Sequence, residues 1–180
     1  LLAEKNGDTI STAANTKFAD IPAHAWYSGY VKYLSNNGIT YGKSKTVFAP
    51  NDAITRAEFT ALAVRFFDVY GDGDAEIMEQ FSGFNDVSSG YWAAEYIKYA
   101  ALHGWINGYG DGSFHAEREI NRAEVVTIVN RLLGREADED YIADNLRKLN
   151  TFPDVSRKHW AYYAVMEAAN AHTAVLGESE

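Results

Sequence analysis

The chain has 180 residues, of which 47% are hydrophobic and none is cysteine, and its formal net charge at pH 7 is −9. This composition predicts a globular protein of one or two domains without disulfides, thiolate nucleophiles or cysteine-bound zinc. The acidic charge argues against nucleic acid and anionic membranes as partners, because both are bound largely through Lys and Arg. The longest apolar runs are far shorter than the ~20 residues of a membrane-spanning helix, so no membrane insertion is expected.

The first 17 residues are polar and show no clear periodicity. We predict a tail or one short, loosely packed helix over 1–17. No positively charged, apolar leader begins at Leu1. A secretion signal is therefore expected to have been removed or to lie outside this sequence.

From Phe18 onward the chain repeats itself with a spacing of 66 residues. The recurring residues of the first copy are Phe18, Asp20, Trp26, Tyr30, Tyr33, Gly38, Gly42, Phe48, Ile54, Arg56, Ala57, Glu58 and Arg65. A third copy opens at Phe152, Asp154, Val155 and Trp160 and then breaks off. Such repeats are units that bury their apolar faces only by stacking on one another. We predict repeats over 18–70 and 84–134, a partial repeat over 152–180, and connectors over 71–83 and 135–151.

Each copy opens with an amphipathic helix. Tyr27, Val31 and Leu34 have helical spacing in the first copy. The matching residues are Ala93, Ile97, Ala100 and Ala101 in the second copy, and Ala161, Val165, Ala168 and Ala169 in the third. We predict these helices near 24–36, 91–103 and 159–171, packed together at a three-helix centre. Gly38 and Gly104 are expected to end the first two in the left-handed conformation.

A second helix follows a glycine-containing loop in the first two copies. We expect it to begin at Thr55 and at Asn121, because Thr55 with Glu58 and Asn121 with Glu124 have the spacing of a capping box. Its apolar face is formed by Phe59, Leu62, Ala63 and Phe66 in the first copy, and by Val125, Ile128, Val129 and Leu132 in the second.

The two connectors are acidic and contain glycine. Short helices are predicted within them, over 74–81 and 139–149. Because every predicted element is helical, the expected fold class is all-α.

These motifs resemble the S-layer homology (SLH) domain. The resemblance is carried by FADI, W, G, G, F and ITRAE over 18–58, by FNDV, W, G, GYGDGSF and INRAE over 84–124, and by FPDV with HW over 152–160. It implies three helix-loop-helix repeats arranged as a pseudo-threefold trimer of prongs around a central three-helix bundle. The third repeat is incomplete, because the sequence after Trp160 has no glycine loop and no Arg-Ala-Glu.

The resemblance also implies a function. SLH domains attach exported bacterial proteins non-covalently to pyruvylated secondary cell-wall polysaccharide. The expected location is therefore the cell surface or S-layer, with a wall of the Gram-positive type, and the chain is expected to be fused to further segments of a longer protein. No cofactor is implied.

The resemblance places ligand grooves between the prongs, with the Arg of the TRAE-like motif as a principal contact. The corresponding residues are Arg56 and Arg122. Each stands at the start of a helix, where the helix dipole disfavours a cation. One interpretation is a structural ion pair with a neighbouring Asp. The other is a bidentate contact with a ligand carboxylate, such as that of a pyruvate ketal, which requires only the pocket to be positive.

Seven further residues are candidate ligand contacts: Trp26, Trp92, Trp160, Asp20, Asp86, Asp154 and Tyr109. The tryptophans could stack on a sugar, or they could be packing anchors. The aspartates precede the first helices and could contact the ligand, or they could brace a turn. Tyr109 lies in the second loop and could pack against the sugar. Gly42 and Gly108 are expected to serve backbone geometry.

Other chemistry has little support. The five histidines form no HExxH arrangement, and the GDGD at 71–74 and GDGS at 110–113 lack the further ligands of an EF-hand loop. The similarity of the copies argues against a dissimilar pair of catalytic carboxylates. We therefore predict a binding module with no catalytic residues, metal or cofactor. The alternative functions are a helical-repeat scaffold for protein interactions and, less favoured, a carbohydrate-active enzyme.

Overall fold

The computed structural model describes residues 1–70 and 81–170. Its helices are α1 (Leu2–Asn6), α2 (Ser28–Asn36), α3 (Arg56–Tyr70), α4 (Ala94–Leu102), α5 (Arg122–Leu132), α6 (Glu139–Asn145) and α7 (Tyr162–Ala169). These residues contain no strand, only an isolated antiparallel bridge between Thr55 and Glu119. The all-α prediction is confirmed, and the threefold arrangement of prongs stays a prediction. None of the helices in the described ranges could cross a membrane, because none is long and apolar enough.

Two stretches lie outside the described residues. Residues 71–80 include the GDGD motif and nearly all of the predicted helix over 74–81. Residues 171–180 include the end of the partial third repeat. The helix predicted over 139–149 is present as α6 and ends earlier, at Asn145.

The first helix of each repeat begins later than predicted. The residues before it form tight turns instead: the N–H of Ser28 donates to the carbonyl of Ala25 (2.9 Å), and equivalent bonds precede α4 and α7. Such i to i−3 bonds are those of a 3₁₀ turn, so the α-helical ladder starts only after them. The predicted ends are confirmed, since Gly38 and Gly104 have φ of 74° and 69°.

Both second helices are capped as predicted. The N–H of Glu58 donates to Thr55 Oγ1 (3.2 Å) while the N–H of Thr55 donates to Glu58 Oε2 (3.0 Å). Asn121 and Glu124 exchange the same two bonds, each at 3.0 Å. The capping boxes satisfy backbone donors that have no partner within the helix.

Replacement of Thr55 with Ala is expected to lower the free energy of unfolding by about 0.5–2 kcal/mol, because the side-chain half of the capping box is lost. Thermal unfolding followed by circular dichroism measures the change. Thr55→Ser keeps the hydroxyl and serves as the control. An unchanged melting temperature for Thr55→Ala would show that the box contributes nothing to stability.

The core is formed where the second helix of one repeat packs on the first helix of the next. α3 packs on α4 and also on α5, and α5 packs on α7. Because α3 has two neighbours, its buried surface is broader than the single predicted stripe and consists largely of small residues. Its most buried members are Ala57, Thr60, Ala61, Ala63 and Val64, whereas Phe59, Leu62 and Phe66 are only partly buried.

The buried face of α7 agrees only in part with the predicted stripe, since Ala161 is buried and Val165 and Ala169 are half-buried. Tyr162 and Met166 are buried against Ile142 of α6 in a separate small core, and Ala168 is exposed. The reason is that α6 lies beside α7 and offers an apolar contact on that side.

The N-terminal segment is more firmly attached than a tail. α1 forms one short helix with Leu2 buried. The N–H of Ala14 donates to the buried Ser28 hydroxyl of α2 (3.0 Å), and the Tyr33 hydroxyl donates to Asp8 (2.7 Å). The segment therefore runs along α2 and covers part of it.

Candidate functional site

Two grooves occupy equivalent positions in the first two repeats. Groove 1, of about 420 Å³, is lined by Thr40, Tyr41, Gly42, Lys43, Phe48, Ala49, Pro50, Asp52, Ala53, Ile54, Glu58, Leu62, Arg65 and Trp92. Groove 2, of about 380 Å³, is lined by Arg56, Trp105, Ile106, Asn107, Gly108, Tyr109, Glu124, Thr127, Ile128, Arg131 and Trp160. In both, the loop of one repeat forms one side, the second helix of that repeat forms another, and the next repeat supplies a Trp. The grooves are therefore seams between repeats.

The tryptophans at the start of each repeat are exposed, so the packing-anchor interpretation is wrong. Trp92 is 53% exposed and Trp160 is 64% exposed, and each lies in a groove. Trp26 is 76% exposed and lines neither groove. A large exposed aromatic surface beside polar groups is a usual feature of a ligand-binding surface.

Arg56 begins α3 in the first repeat, but its side chain lies in groove 2, which belongs to the second. The backbone explains this crossing. The N–H of Arg56 donates to the carbonyl of Arg118 (2.9 Å), and the N–H of Ile120 donates to that of Ile54 (3.0 Å). This short antiparallel pairing aligns the start of α3 with the segment before α5 and directs the guanidinium into the second loop.

The Arg56 guanidinium uses three of its five N–H groups in bonds within the protein. Nε donates to the carbonyl of Phe114 (2.8 Å), Nη1 to Glu124 Oε1 (2.7 Å) and Nη2 to the carbonyl of Asn107 (3.2 Å). The group also lies over the ring of Phe114, 4.5 Å from its centroid. The residue is 5% exposed. Arg56 thus forms a structural ion pair, with a glutamate rather than the predicted aspartate, and it still lines the groove.

Arg122 has the same position in the motif but different surroundings. It begins α5, and its side chain is exposed and lines neither groove. The loop that receives Arg56 belongs to the following repeat. The structure therefore separates two arginines that the sequence treats as equal.

The aspartates Asp20 and Asp86 brace the loops and do not line the grooves. Asp86 accepts from the N–H groups of Phe114 and His115, each at 2.7 Å, and Asp20 makes the same contacts with Phe48 and Ala49. Ala49 and His115 have φ of 60° and 54°, values that residues other than glycine rarely adopt. The carboxylates of Asp20 and Asp86 therefore hold the two loops in an unfavourable backbone conformation. Asp154 is exposed.

These contacts change the ionisation of the two aspartates. The N–H groups of Phe48 and Ala49 lower the pKa of Asp20 below its ordinary value of 3.8. Partial burial by itself would raise the pKa of Asp86, but its two N–H donors outweigh this effect and lower it. In the folded protein, both carboxyl groups are therefore largely ionised at any pH above their ordinary pKa of 3.8.

Stability is expected to fall at low pH because of these two carboxylates. A pKa lowered on folding stabilises the protein above the unfolded value, here 3.8, and the contribution is lost as pH falls through the folded value. We expect the urea midpoint to be constant from neutral pH to about 5 and to decrease below about 4. An Asp20→Asn, Asp86→Asn variant should lose part of this decrease. An equally steep decrease in the variant would contradict the assignment.

Glu124 is the polar centre of groove 2. Burial by itself would raise the pKa of Glu124, but the Asn121 N–H, the Tyr109 hydroxyl and the charges of Arg56 and Arg118 together lower it. The candidate Tyr109 thus lies in the groove, with its hydroxyl 3.0 Å from Glu124 Oε1. In groove 1, burial likewise opposes ionisation of Glu58, and Lys43 and the Thr55 N–H outweigh it, so its pKa is also lowered.

The sequence interpretation missed one pair of groove residues, Arg65 and Arg131. Both recur at the repeat spacing, which was a usable signal. The Arg65 guanidinium lies between Tyr41 and Tyr96, 4.7 Å from each ring centroid, and its Nε donates to the Tyr96 hydroxyl (3.1 Å). Arg131 is exposed and lines groove 2. Each groove is therefore lined by a guanidinium and by an aromatic side chain from the following repeat.

Neither groove shows features of a metal centre. No group of three His, Asp or Glu side chains within residues 1–70 and 81–170 is placed to hold a metal ion. The arrangement is one of exposed aromatic rings, guanidinium groups and backbone carbonyls. These groups suit binding of a polar ligand at a seam between helical repeats.

Tandem helical repeats with equivalent clefts at their seams define a repeat-type binding module. The S-layer homology domain family matches this chain at residues 17–60 and 83–126. The chain belongs to that family, whose members are anchoring modules of the bacterial cell surface. The match covers the first two copies and includes Arg56, Arg122 and both capping boxes.

Three of the relatives that match the chain are named as proteins of the cell surface, of cellulosome anchoring or of the surface layer. Cell surface glycoprotein 1 of Acetivibrio thermocellus is 30% identical over 96% of this chain and 7% of its own length. The cellulosome-anchoring protein of the same organism is 28% identical over 90% of this chain and 34% of its own. The surface-layer 125 kDa protein of Lysinibacillus sphaericus is 29% identical over 71% of this chain and 11% of its own. The chain spans between 7% and 34% of the length of these relatives.

Proposed function

We propose that grooves 1 and 2 bind the acidic, pyruvylated secondary polysaccharide of a Gram-positive cell wall. By this binding, the module holds the longer protein to which it belongs on the cell surface without a covalent bond. One observation carries the proposal: each groove combines an exposed Trp from one repeat with a guanidinium and a polar loop from another.

The chemistry of the groove matches the chemistry of such a ligand. The apolar face of a pyranose ring packs on an exposed indole, while its hydroxyl groups bond to carbonyls and side chains at the rim. The carboxylate of a pyruvate ketal can bond to the exposed Arg131. It can also take the two guanidinium N–H groups of Arg56 that remain after its three protein bonds. A net charge of −9 does not prevent this, because the binding depends on the local field.

Co-sedimentation with purified walls tests the proposal. The chain should bind native walls and lose most of that binding when the pyruvate ketals are removed with mild acid. A Trp92→Ala, Trp160→Ala variant should bind native walls at least about tenfold more weakly, because the aromatic surface of both grooves is gone.

Trp26→Ala is the matched comparison, since Trp26 has the same repeat position and is more exposed than the other two, yet lines neither groove. Binding should be unchanged. Equal loss in Trp26→Ala and in the groove double variant would contradict the groove assignment. Equal binding to walls with and without pyruvate would contradict the acidic ligand. No binding to walls at all would favour the protein-interaction scaffold.

A further inference from the structure

Grooves 1 and 2 share their repeat positions but differ in charge. The charged residues that line groove 1 are two cations, Lys43 and Arg65, and two carboxylates, Asp52 and Glu58. Their formal charges cancel. Groove 1 therefore has no net formal charge, in contrast to groove 2.

Groove 2 is lined by two cations and one carboxylate, and a third cation lies at its rim. Arg56 and Arg131 line it together with Glu124. Arg118 lies at its rim, where its guanidinium bonds to both Tyr109 and Glu124. With Glu124 ionised, the side chains that line groove 2 carry one net positive charge, and Arg118 adds a second at the rim.

Three substitutions between the copies and one crossing determine this difference. Ala53 of groove 1 is replaced by Glu119 at the repeat spacing, and this carboxylate acts against it. Asp52 and Arg118 stand 66 residues apart, so the rim of groove 1 has a carboxylate where the rim of groove 2 has a guanidinium. Lys43 is replaced by the neutral Tyr109 at the same spacing, which partly offsets the change. Arg56 then adds a cation to groove 2 from the preceding repeat.

The cations of groove 1 form contacts within the protein, as Arg56 and Arg118 do in groove 2. Lys43 forms an ion pair with Glu58. Arg65 is held between two tyrosine rings, with its Nε bonded to the Tyr96 hydroxyl. Asp52 is exposed and would face an incoming anion with a like charge.

We propose that the two grooves are specialised: groove 2 binds the pyruvylated, negatively charged sugar unit, and groove 1 binds an uncharged unit of the same polymer. Arg118 and Asp52 are the residues that determine this specificity. The proposal rests on the function proposed above and adds to it which groove takes which unit. A polymer with alternating charged and neutral units would then engage both grooves at once, with higher avidity than either groove alone provides.

Nuclear magnetic resonance can follow the two grooves separately, because each contains its own exposed Trp. The indole N–H signal of Trp92 reports on groove 1 and that of Trp160 on groove 2. The probes are the methyl glycoside of pyruvylated N-acetylmannosamine and the same glycoside without the ketal, each titrated into the 180-residue chain at low ionic strength. The pyruvylated probe should shift Trp160 at a concentration about tenfold lower than Trp92, since two charges near a ligand carboxylate change affinity by about that factor.

Exchanging the rim charges should exchange the preference. Asp52→Arg should raise the affinity of groove 1 for the pyruvylated probe, relative to its affinity for the neutral probe, about tenfold. Arg118→Asp should lower the affinity of groove 2 for the pyruvylated probe by at least the same factor. Arg157→Asp, an exposed site outside both grooves, changes the net charge equally and should alter neither groove.

Asp52→Arg keeps the test decisive if Arg118→Asp destabilises the loop through its bond to Glu124. Equal affinity of both grooves for the pyruvylated probe, or no gain in Asp52→Arg, would overturn the specialisation while the proposed function stood. If neither probe shifts the indole signal of Trp92 or that of Trp160, the proposed function and the specialisation are both overturned. Raising the salt concentration should reduce the difference between the grooves, because the charges at the rim are exposed to solvent.

Discussion

Replacement of Arg56 with Ala is expected to lower the free energy of unfolding by about 3 kcal/mol, whereas Arg122→Ala should change it by less than about 0.5 kcal/mol. The two residues occupy the same position of the same motif. The difference arises because Arg56 is buried and bonded to three groups, while Arg122 is exposed on the surface.

The expected cost of removing Arg56 comes mainly from the groups it leaves behind. The carbonyls of Phe114 and Asn107 lose a charged donor, and Glu124 loses one of its two ion pairs. Its second partner, Arg118, remains, so the cost lies at the low end of the range for breaking a buried pair. Arg56→Lys should recover only part of the loss, because a single ammonium cannot reach three acceptors arranged around a planar group.

Urea unfolding of the two alanine variants measures this difference. Equal, small changes for Arg56→Ala and Arg122→Ala would mean that the ion pair does not stabilise the fold. The result also affects the design of binding experiments. Weak wall binding by Arg56→Ala would not by itself identify a ligand contact, so such a variant has to be shown to be folded at the temperature of the assay.

Replacement of Gly42 with Ala is expected to lower the free energy of unfolding by about 2–4 kcal/mol. Gly42 has φ of 74°, and a Cβ there would lie 2.5 Å from Phe18 Cε1 and 2.6 Å from the carbonyl oxygen of Val47. The strained conformation and the collision add together. Phe18 is fully buried and the carbonyl belongs to the loop, so neither neighbour can move cheaply.

Gly108→Ala should behave similarly for one of these two reasons. Its φ is not positive, but a Cβ would lie 2.4 Å from Phe84 Cε1 and 2.7 Å from the carbonyl oxygen of Ser113. Gly110→Ala is the control, because no atom lies within 4 Å of its Cβ and its backbone needs no left-handed conformation. Thermal unfolding of the three variants tests the prediction. It fails if Gly42→Ala is no less stable than Gly110→Ala.

Local features of the fold were predictable from the sequence. The capping boxes, the left-handed glycines after α2 and α4, and the period of the repeat were all recognised and confirmed. The first helices were predicted to begin too early, because the tight turns before them have the same apolar spacing as the helices they precede. The apolar stripe of α3 was only partly correct, since its burial depends on two neighbours that a helical wheel does not show.

The sequence predicted several residues of the candidate site, but not which of them lie together in one groove. The tryptophans, Tyr109 and Arg56 were selected, and groove 2 does bring Trp160, Tyr109 and Arg56 together. Arg65 and Arg131 were overlooked, although both recur at the repeat spacing. For the aspartates the sequence left ligand contact and turn bracing open, and bracing is confirmed for Asp20 and Asp86. Recurrence alone does not distinguish these two roles.

The sequence by itself determined the repeating unit, its helical class, its caps and its glycine turns, because each depends on residues within a few positions of one another. Only the tertiary structure decided that Arg56 is buried while Arg122 is exposed, that Trp92 and Trp160 line seams, and that the two grooves differ in charge. These properties depend on which copy lies beside which. The backbone pairing between Thr55 and Glu119 places a side chain of the first repeat in the groove of the second. The residue spacing within a single repeat cannot predict such a contact.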